Sequence, residues 1–341
     1  LFFCTLSGEI YKSTNGGDSW ILKYTETGVY INSIVVDPED SSYIYVGTGT
    51  PGYAYDGENG FLKSADGGET WEGKHIGALF PSDQGYSIVI TPSGYSPQTL
   101  YIIANGDFYI GFVNYHWKDI YKSTDKGETW TELYMYRFES SYPHYYVDEP
   151  STLAIDTLNP DWLYFGSTDC DHPFRLYNSS ENLWYHWLWD GVGDPLPSSI
   201  PSSIAVNPED NATSFLGFSD CPIYKTTNSG NSWNLSNKGI NNADIYDIAL
   251  SPASSDTAFA AIDGFHLHKT SDGGASWAEL NGPSGAPANI EAVAINPNNP
   301  SIVFIGSKDG YFYRSTDEGT SWNNAAYKTF FFFLEKLKIS G

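Results

Sequence analysis

Short apolar runs closed by a proline-bearing turn recur along the chain: SIVVDP (33–38), SIVITP (87–92), TLAIDTLNP (152–160), SIAVNP (203–208), DIALSP (247–252) and AVAINP (292–297). Each is followed by a second apolar run: YIYVGT, TLYIIA, WLYFGS, SFLGFS, TAFAAI or IVFIGS. Runs of this length, rich in β-branched and aromatic residues and bounded by turn signals, predict strands. Their being apolar on both faces predicts that the first strand of each unit is sandwiched between neighbouring sheets.

A third element repeats with them. YKSTNGGDSW (11–20), LKSADGGETW (62–71), YKSTDKGETW (121–130), YKTTNSGNSW (224–233), HKTSDGGASW (268–277) and YRSTDEGTSW (313–322) share Ser/Thr-x-Asp/Asn-x-Gly-x-x-Trp. A worn copy runs from Asn178 to Trp184. The period of about 45 to 60 residues is that of one four-stranded sheet per copy. The box predicts the hairpin between the third and fourth strands: Asp or Asn bonds the turn's N–H groups, Gly takes the positive φ, the hydroxyl adds a local bond, and Trp packs between sheets. Four strands per unit in seven units predict an all-β chain, a seven-bladed β-propeller of four-stranded antiparallel blades with Asp-box hairpins. Residues 1–327 form that single domain. The chain opens at the second strand of its first blade, which lacks an innermost strand in sequence. The tail 328–341 either supplies it, closing the ring, or runs as a helix or linker.

On these boxes the chain resembles the Asp-box, or BNR-repeat, propellers, a superfamily that includes sialidases, sortilin-type receptor domains, xyloglucanase-type glycoside hydrolases and photosystem assembly factors. The resemblance covers residues 1–327; it is specific for fold and nearly silent about activity. A sialidase would imply an arginine triad. The arginines are Arg137, Arg175 and Arg314, and Arg314 precedes a box where other units carry Lys63, Lys122, Lys225 and Lys269, so two remain, too few to form it. A xyloglucanase-type enzyme would imply two aspartates across a cleft between two propellers, of which this chain would be one half; none of its acids matches that pair residue by residue.

Composition narrows the partners. With 17 Lys plus Arg against 41 Asp plus Glu, the net charge is -24, which repels nucleic acid. No apolar run approaches the ~18 residues of a membrane helix, so membrane insertion is not expected. Aromatic content of 16% supports a packed core rather than disorder. Cys4, Cys170 and Cys221 are too few for a disulfide scaffold. Cys170 and Cys221 occupy matching places in consecutive units, about 10 Å apart if the sheets stack, too far for a disulfide; Cys4 reads as a small buried hydrophobe. The chain begins at Leu1 rather than Met, which suggests a removed leader or a missing upstream part.

The box carboxylates Asp66, Asp125, Asp272 and Asp317 are committed to their turns and are not read as catalytic. Function is expected at the long connections on the opposite face, in the second to fourth blades: 47–60, 105–119, 132–149, 167–175 and 184–197. They hold Tyr53, Tyr55, Tyr109, Tyr115, Trp117, Tyr136, Tyr142, Tyr145, Tyr146, Trp187 and Trp189, among Asp56, Glu58, Asp107, Glu139, Asp148, Asp171, Asp190 and Asp194. Flat aromatic faces beside carboxylates suit sugar rings, whereas the plainer reading is loop-to-loop packing. The ligand-binding candidates are Tyr53, Tyr55, Asp56, Trp117, Tyr145, Trp187 and Asp190; no catalytic residue is assigned. His75, His116, His144, His172 and His186, near Asp169, Cys170 and Asp171, show no recognisable metal spacing, so no metal site and no cofactor are expected. Sequons at Asn178, Asn211 and Asn234 suit an exported, glycosylated surface protein. The expectation is therefore a non-catalytic, extracellular or cell-surface module that binds a glycan or protein, with self-association or membership of a surface assembly as further forms of partnership. The alternative is a glycoside hydrolase of xyloglucanase-like type.

Overall fold

A computed structural model describes residues 1–5, 8–26, 29, 31–48, 60–76, 84–110, 113–133, 150–167, 174–178, 180–181, 183–185, 196–197, 199–240, 244–262, 266–283, 290–307, 311–326 and 337–338. Every regular element among them is a strand. Six sheets each consist of four consecutive antiparallel strands, opening with Ile31–Val36, Gln84–Ile90, Pro150–Ile155, Pro201–Val206, Ile245–Leu250 and Ile290–Ile295. In a further sheet Phe2–Thr5, Glu9–Lys12 and Ile21–Thr25 are joined by Leu337–Lys338, which pairs antiparallel with Phe2 and Phe3. The opening strands of successive sheets lie side by side, so the sheets stack face to face around an axis as four-stranded propeller blades.

The most completely buried strands are the second ones. Ile44–Thr48, Ser214–Phe218, Ala258–Ile262 and Val303–Ser307 are buried at every position. The opening strands lie between those of the adjacent blades as expected, Ile290–Ile295 buried at all but one position and Pro201–Val206 alternating buried and half-buried. An innermost strand has a neighbour on one edge only, whereas a second strand has a partner on both edges and a blade on both faces.

Tryptophans of the boxes pack against the preceding blade. Trp130 meets Phe61 edge-on at 5.3 Å, and Trp277 meets Phe215 at 6.1 Å. For Trp20 the preceding blade is the last in the chain: it sits edge-on to Phe312 at 5.2 Å, Phe3 stacks on Phe312 at 5.0 Å, and Arg314 Nη1 donates to Asp18 Oδ1 at 2.6 Å. The two ends of the domain thus meet through the contacts that join consecutive blades elsewhere.

The box glycines have unequal duties. The first position is filled by Lys126, Ser229 and Glu318 in other copies, at φ of 62°, 57° and 55°. The second is glycine in all six good copies, because the turn there runs against an aromatic ring of the preceding blade. A Cβ on Gly68, at φ +83°, would lie 2.5 Å from Phe2 Cε1, whereas one on Gly67 would meet nothing nearer than 3.8 Å. Gly68→Ala is therefore expected to cost about 2–4 kcal/mol, from left-handed backbone strain plus overpacking, and Gly67→Ala about 1 kcal/mol. Urea midpoints of the two variants check the difference.

One connection proves to be a pair of strands. Residues 105–119, expected as a loop, belong to Leu100–Ile110 and Val113–Ser123, which pair without a register shift from Leu100↔Ser123 to Ile110↔Val113. The signal was present in the Phe, Tyr, Ile and Val around the Gly111-Phe112 pair; the repeat frame, which allots short strands to each unit, hid it.

Candidate functional site

At one end of the ring the boxes saturate their own polar groups. In the box of Thr270 to Trp277, Thr270 Oγ1 donates to Asp272 Oδ1 (2.8 Å), Gly274 N donates to Thr270 Oγ1 (2.9 Å), and Asp272 accepts from Ser276 N (2.9 Å) and Ser276 Oγ (2.6 Å). Asp66, Asp125 and Asp317 make the same set. Asn228 does so as a neutral amide, its Nδ2 donating to Ser232 Oγ, so the hydroxyl turns round. Bonds from the Ser276 and Ser321 hydroxyls and amides lower the Asp272 and Asp317 pKa to about 2. A carboxyl held down in this way is ionised at neutral pH and has no accepting capacity to spare.

The lowered values carry a pH dependence. The unfolded carboxyl titrates near 3.9, so the stabilisation is whole above that pH and is lost as pH falls toward about 2. Asp272→Asn with Asp317→Asn, copying the Asn228 turn, is expected to retain the fold at pH 7. It should also flatten the fall of the thermal midpoint between about pH 4 and pH 2; melts across that range check it.

Much of the chain's scarce positive charge is spent at this same end. Lys12 and Lys23 both reach Glu69 of the next blade (2.7 and 2.6 Å), Lys63 reaches Glu128 (2.5 Å), Lys269 reaches Glu318 (2.8 Å), and Lys225 Nζ donates to Gly273 O (2.7 Å). Lys74 joins Glu128 (3.5 Å), and Lys126 lies over the Tyr43 ring (3.6 Å) near Asp40. With Arg314 on Asp18, these pairs link box to box around the ring.

Around the axis, each of the six long opening strands carries a register shift near its start, at Asn32, Tyr86, Ser151, Ser202, Tyr246 and Glu291. Bulges re-aim side chains and often neighbour functional sites. Ser202, Tyr246 and Glu291 are half-buried beside buried neighbours. The next residue latches adjacent blades: Ile88 N donates to Ser33 Oγ (2.9 Å), Ile248 N to Ser203 Oγ (3.1 Å), and Val293 N to Asp247 Oδ2 (3.1 Å). Sequence reasoning missed both sets, although a Ser, Thr or Asp at one fixed place in an apolar run was the available signal.

Away from the boxes, the ladder of Leu100–Ile110 with Val113–Ser123 is the longest among the described residues. The opening strand Gln84–Ile90 pairs only as far as Gln84↔Asn105, and the fourth strand Thr131–Leu133 only as far as Leu133↔Ile120. Among the described residues, five further pairs of this ladder, from Gly106↔Trp117 to Ile110↔Val113, lie beyond these points and form its arm. In register Phe108 pairs with Tyr115, Asp107 with His116 and Gly106 with Trp117.

Of the ligand-binding candidates, Trp117 is thus placed at a register position in this arm. Tyr53, Tyr55, Asp56, Tyr145, Trp187 and Asp190 lie outside the described residues. By connectivity, 49–59 joins the two strands Ile44–Thr48 and Phe61–Ser64. Among the sequons, Asn178 is 6% exposed and its Oδ1 caps the worn turn, accepting from Ser180 N (3.0 Å) and Glu181 N (3.2 Å). Asn211 Nδ2 donates to Asp156 Oδ2 at 2.8 Å, and Asn234 is exposed. Cys4 is buried, which pushes its thiol pKa up. Cys170 lies outside the described residues, and Cys221 begins the strand Cys221–Thr226. Among the described residues no group of three or more His, Cys, Asp or Glu is placed to hold a metal ion, and no helix is long and apolar enough to cross a membrane.

The family model described as Sortilin, neurotensin receptor 3, matches residues 221–336. No curated protein matches the chain. Among solved structures, a GH74 xyloglucanase from Xanthomonas campestris is similar at a TM-score of 0.71 and 16% identity, over 94% of this chain and 52% of that one. The chain therefore spans about half the length of that enzyme. YCF48 from Cyanidioschyzon merolae matches at 0.63 and 15% identity, over 90% and 88%. YCF48 bound to D1 peptide matches at 0.61 and 12%, over 87% and 81%. The fold is a β-propeller of four-stranded antiparallel blades. At these identities the structural likeness of the propeller to its neighbours extends to fold alone, and the identity of its ligand has to be argued from its own residues.

Proposed function

We propose that this Asp-box propeller is a non-catalytic recognition module that holds a glycan or a protein at the end of the ring opposite its boxes, with Tyr53, Tyr55, Asp56, Trp117, Tyr145, Trp187 and Asp190 as contacts. The observation that carries the reading is the asymmetry of the two ends. At the box end, carboxylates and cations are consumed by turns and inter-blade pairs, whereas the ladder that bears Trp117 extends to the other. In the same reading residues 1–327 form one ring of seven blades, and the tail 328–341 closes it by lending Leu337–Lys338 to the first. That the related fold of YCF48 occurs bound to a peptide, and that of a xyloglucanase in a carbohydrate-active enzyme, supports either ligand class. We place the protein outside the cell, with Asn234, the exposed sequon, as its first glycan acceptor.

A glycan array together with a hydrolysis screen on plant and microbial polysaccharides tests this. Retention without turnover, weakened at least about tenfold (about 1.4 kcal/mol) by Trp117→Ala or Trp187→Ala, is the expected result. Turnover abolished by a single Asp→Asn change in 47–60 or 184–197 would establish the hydrolase instead. Ligand binding unchanged in both Trp variants would show that another face is used.

A further inference from the structure

We infer that Asn281 and Gly282 form a spontaneous deamidation site, at which the chain converts an asparagine into aspartate and isoaspartate, and that the boxes protect the asparagine–glycine and aspartate–glycine pairs they contain. The inference goes beyond the recognition reading and does not depend on it.

An asparagine before glycine is chemically labile because no Cβ shields the glycine N–H from the asparagine side chain. The glycine N, giving its proton to water, attacks the asparagine Cγ; the Cγ–Nδ2 bond breaks and ammonia leaves. Water then opens the five-membered imide. Opening at Cγ leaves aspartate, and opening at the main-chain carbonyl leaves isoaspartate, whose chain runs on through Cγ. The attack requires a side chain free to swing onto its own backbone and a glycine N–H without another partner.

Exposure does not separate the candidates, since Asn15 and Asn281 are both exposed. Hydrogen bonding does. Asn15 Oδ1 accepts from Ser13 Oγ (2.9 Å) and Ser19 N (3.0 Å), and its Nδ2 donates to Ser19 Oγ (2.8 Å), which holds the amide over the turn. Asp66 and Asp272 are held in the same way, and there the nucleophile is engaged as well: Gly67 N donates to Ser42 O and Gly273 N to Asp256 O, both at 2.9 Å. Asn105 and Gly106 are paired in a ladder with Lys118 and Trp117. At Asn281, by contrast, no hydrogen bond among the described residues holds the side chain or the Gly282 N–H, and a Cβ on Gly282 would meet nothing within 4 Å. The ladder of Ala278–Leu280 ends at Leu267↔Leu280, so 281–282 lie past it, level with the Ile262↔His266 pair and toward the end opposite the boxes. Conversion there adds a carboxylate that is ionised at neutral pH, and isoaspartate lengthens the connection to Ile290–Ile295 by one backbone carbon.

The test ages the whole folded chain in mildly alkaline buffer and maps its peptides by mass spectrometry. Methyl transfer from S-adenosylmethionine by a protein isoaspartyl methyltransferase is the second readout. Expected is conversion at Asn281 at least about tenfold faster than at Asn15, with methyl-accepting isoaspartate in the peptide that holds residue 281. In urea, where the box is undone, the two rates should close to within about threefold. Gly282→Val, which the open space accommodates, should slow conversion at Asn281 at least about tenfold, and Asn281→Gln should abolish methyl acceptance in that peptide. Equal rates at Asn15 and Asn281 in the folded chain, or a rate at Asn281 unchanged by Gly282→Val, overturn the inference. A gap that persists undiminished in urea would mean that neighbouring sequence sets it, and the protective role of the boxes falls.

Discussion

Trp277→Ala is expected to cost about 3–5 kcal/mol, the range for truncating a large buried aromatic. Trp277 is 4% exposed, lies edge-on to Phe215 of the preceding blade, and its Nε1 donates to Ser236 O at 2.9 Å. Truncation removes the indole from the core that it shares with Ala205, Phe215 and Ile223 and leaves a buried carbonyl without its donor. Trp130 is the internal comparison. It makes the same edge-on contact with Phe61, but it is only half-buried, and its Nε1 has no hydrogen-bond partner. Trp130→Ala should therefore cost less, and Trp184→Ala in the worn copy least. Urea denaturation of the three variants, read at constant m, checks the order; equal small losses would show that the box tryptophans are not what joins the blades.

Phe312→Ala is expected to cost a similar about 3–5 kcal/mol, with a different signature. Phe312 is 2% exposed and stands where the chain ends meet, stacked on Phe3 at 5.0 Å and Phe304 at 5.5 Å with Trp20 edge-on. Among the described residues this junction is held by side-chain packing, the Arg314–Asp18 pair and the two-pair ladder of Leu337–Lys338 with Phe2–Phe3, by which the chain returns from the last blade to the first. Loss of the ring should open this seam before the rest. Hydrogen exchange would then rise first in Phe2–Thr5 and Phe312–Ser315, ahead of global unfolding. Uniform acceleration in every blade would instead mean that the junction is no weaker than the others.

How much of this was legible without coordinates differs by element. The box spells out its own turn, because a hydroxyl, a carboxylate or amide, and a glycine at fixed spacing satisfy one another within a few residues. The four-stranded antiparallel blade follows from the apolar runs between boxes by the same local logic. The 105–119 arm was misread because its strand character competes with a repeat that predicts a connection there. The bulged ring around the axis and the Ser33, Ser203 and Asp247 latches were not read at all: each bond joins residues in different blades, and polar residues inside apolar runs say only that a partner exists, not which.

The sequence by itself determined the repeat, the all-β class, the place of every box, and the commitment of Asp66, Asp125, Asp272 and Asp317 to turns rather than chemistry, since all of these depend on groups within one hairpin. Only the tertiary structure decided which glycine of a box is indispensable, because the ring that forbids a side chain at Gly68 belongs to Phe2 in another blade. It also decided that the lysines before the boxes are the rivets between blades, and that Trp117 stands in a strand, paired in register with Gly106. Those contacts span tens to hundreds of residues along the chain, and a local pattern carries no information about which distant surface will complete it.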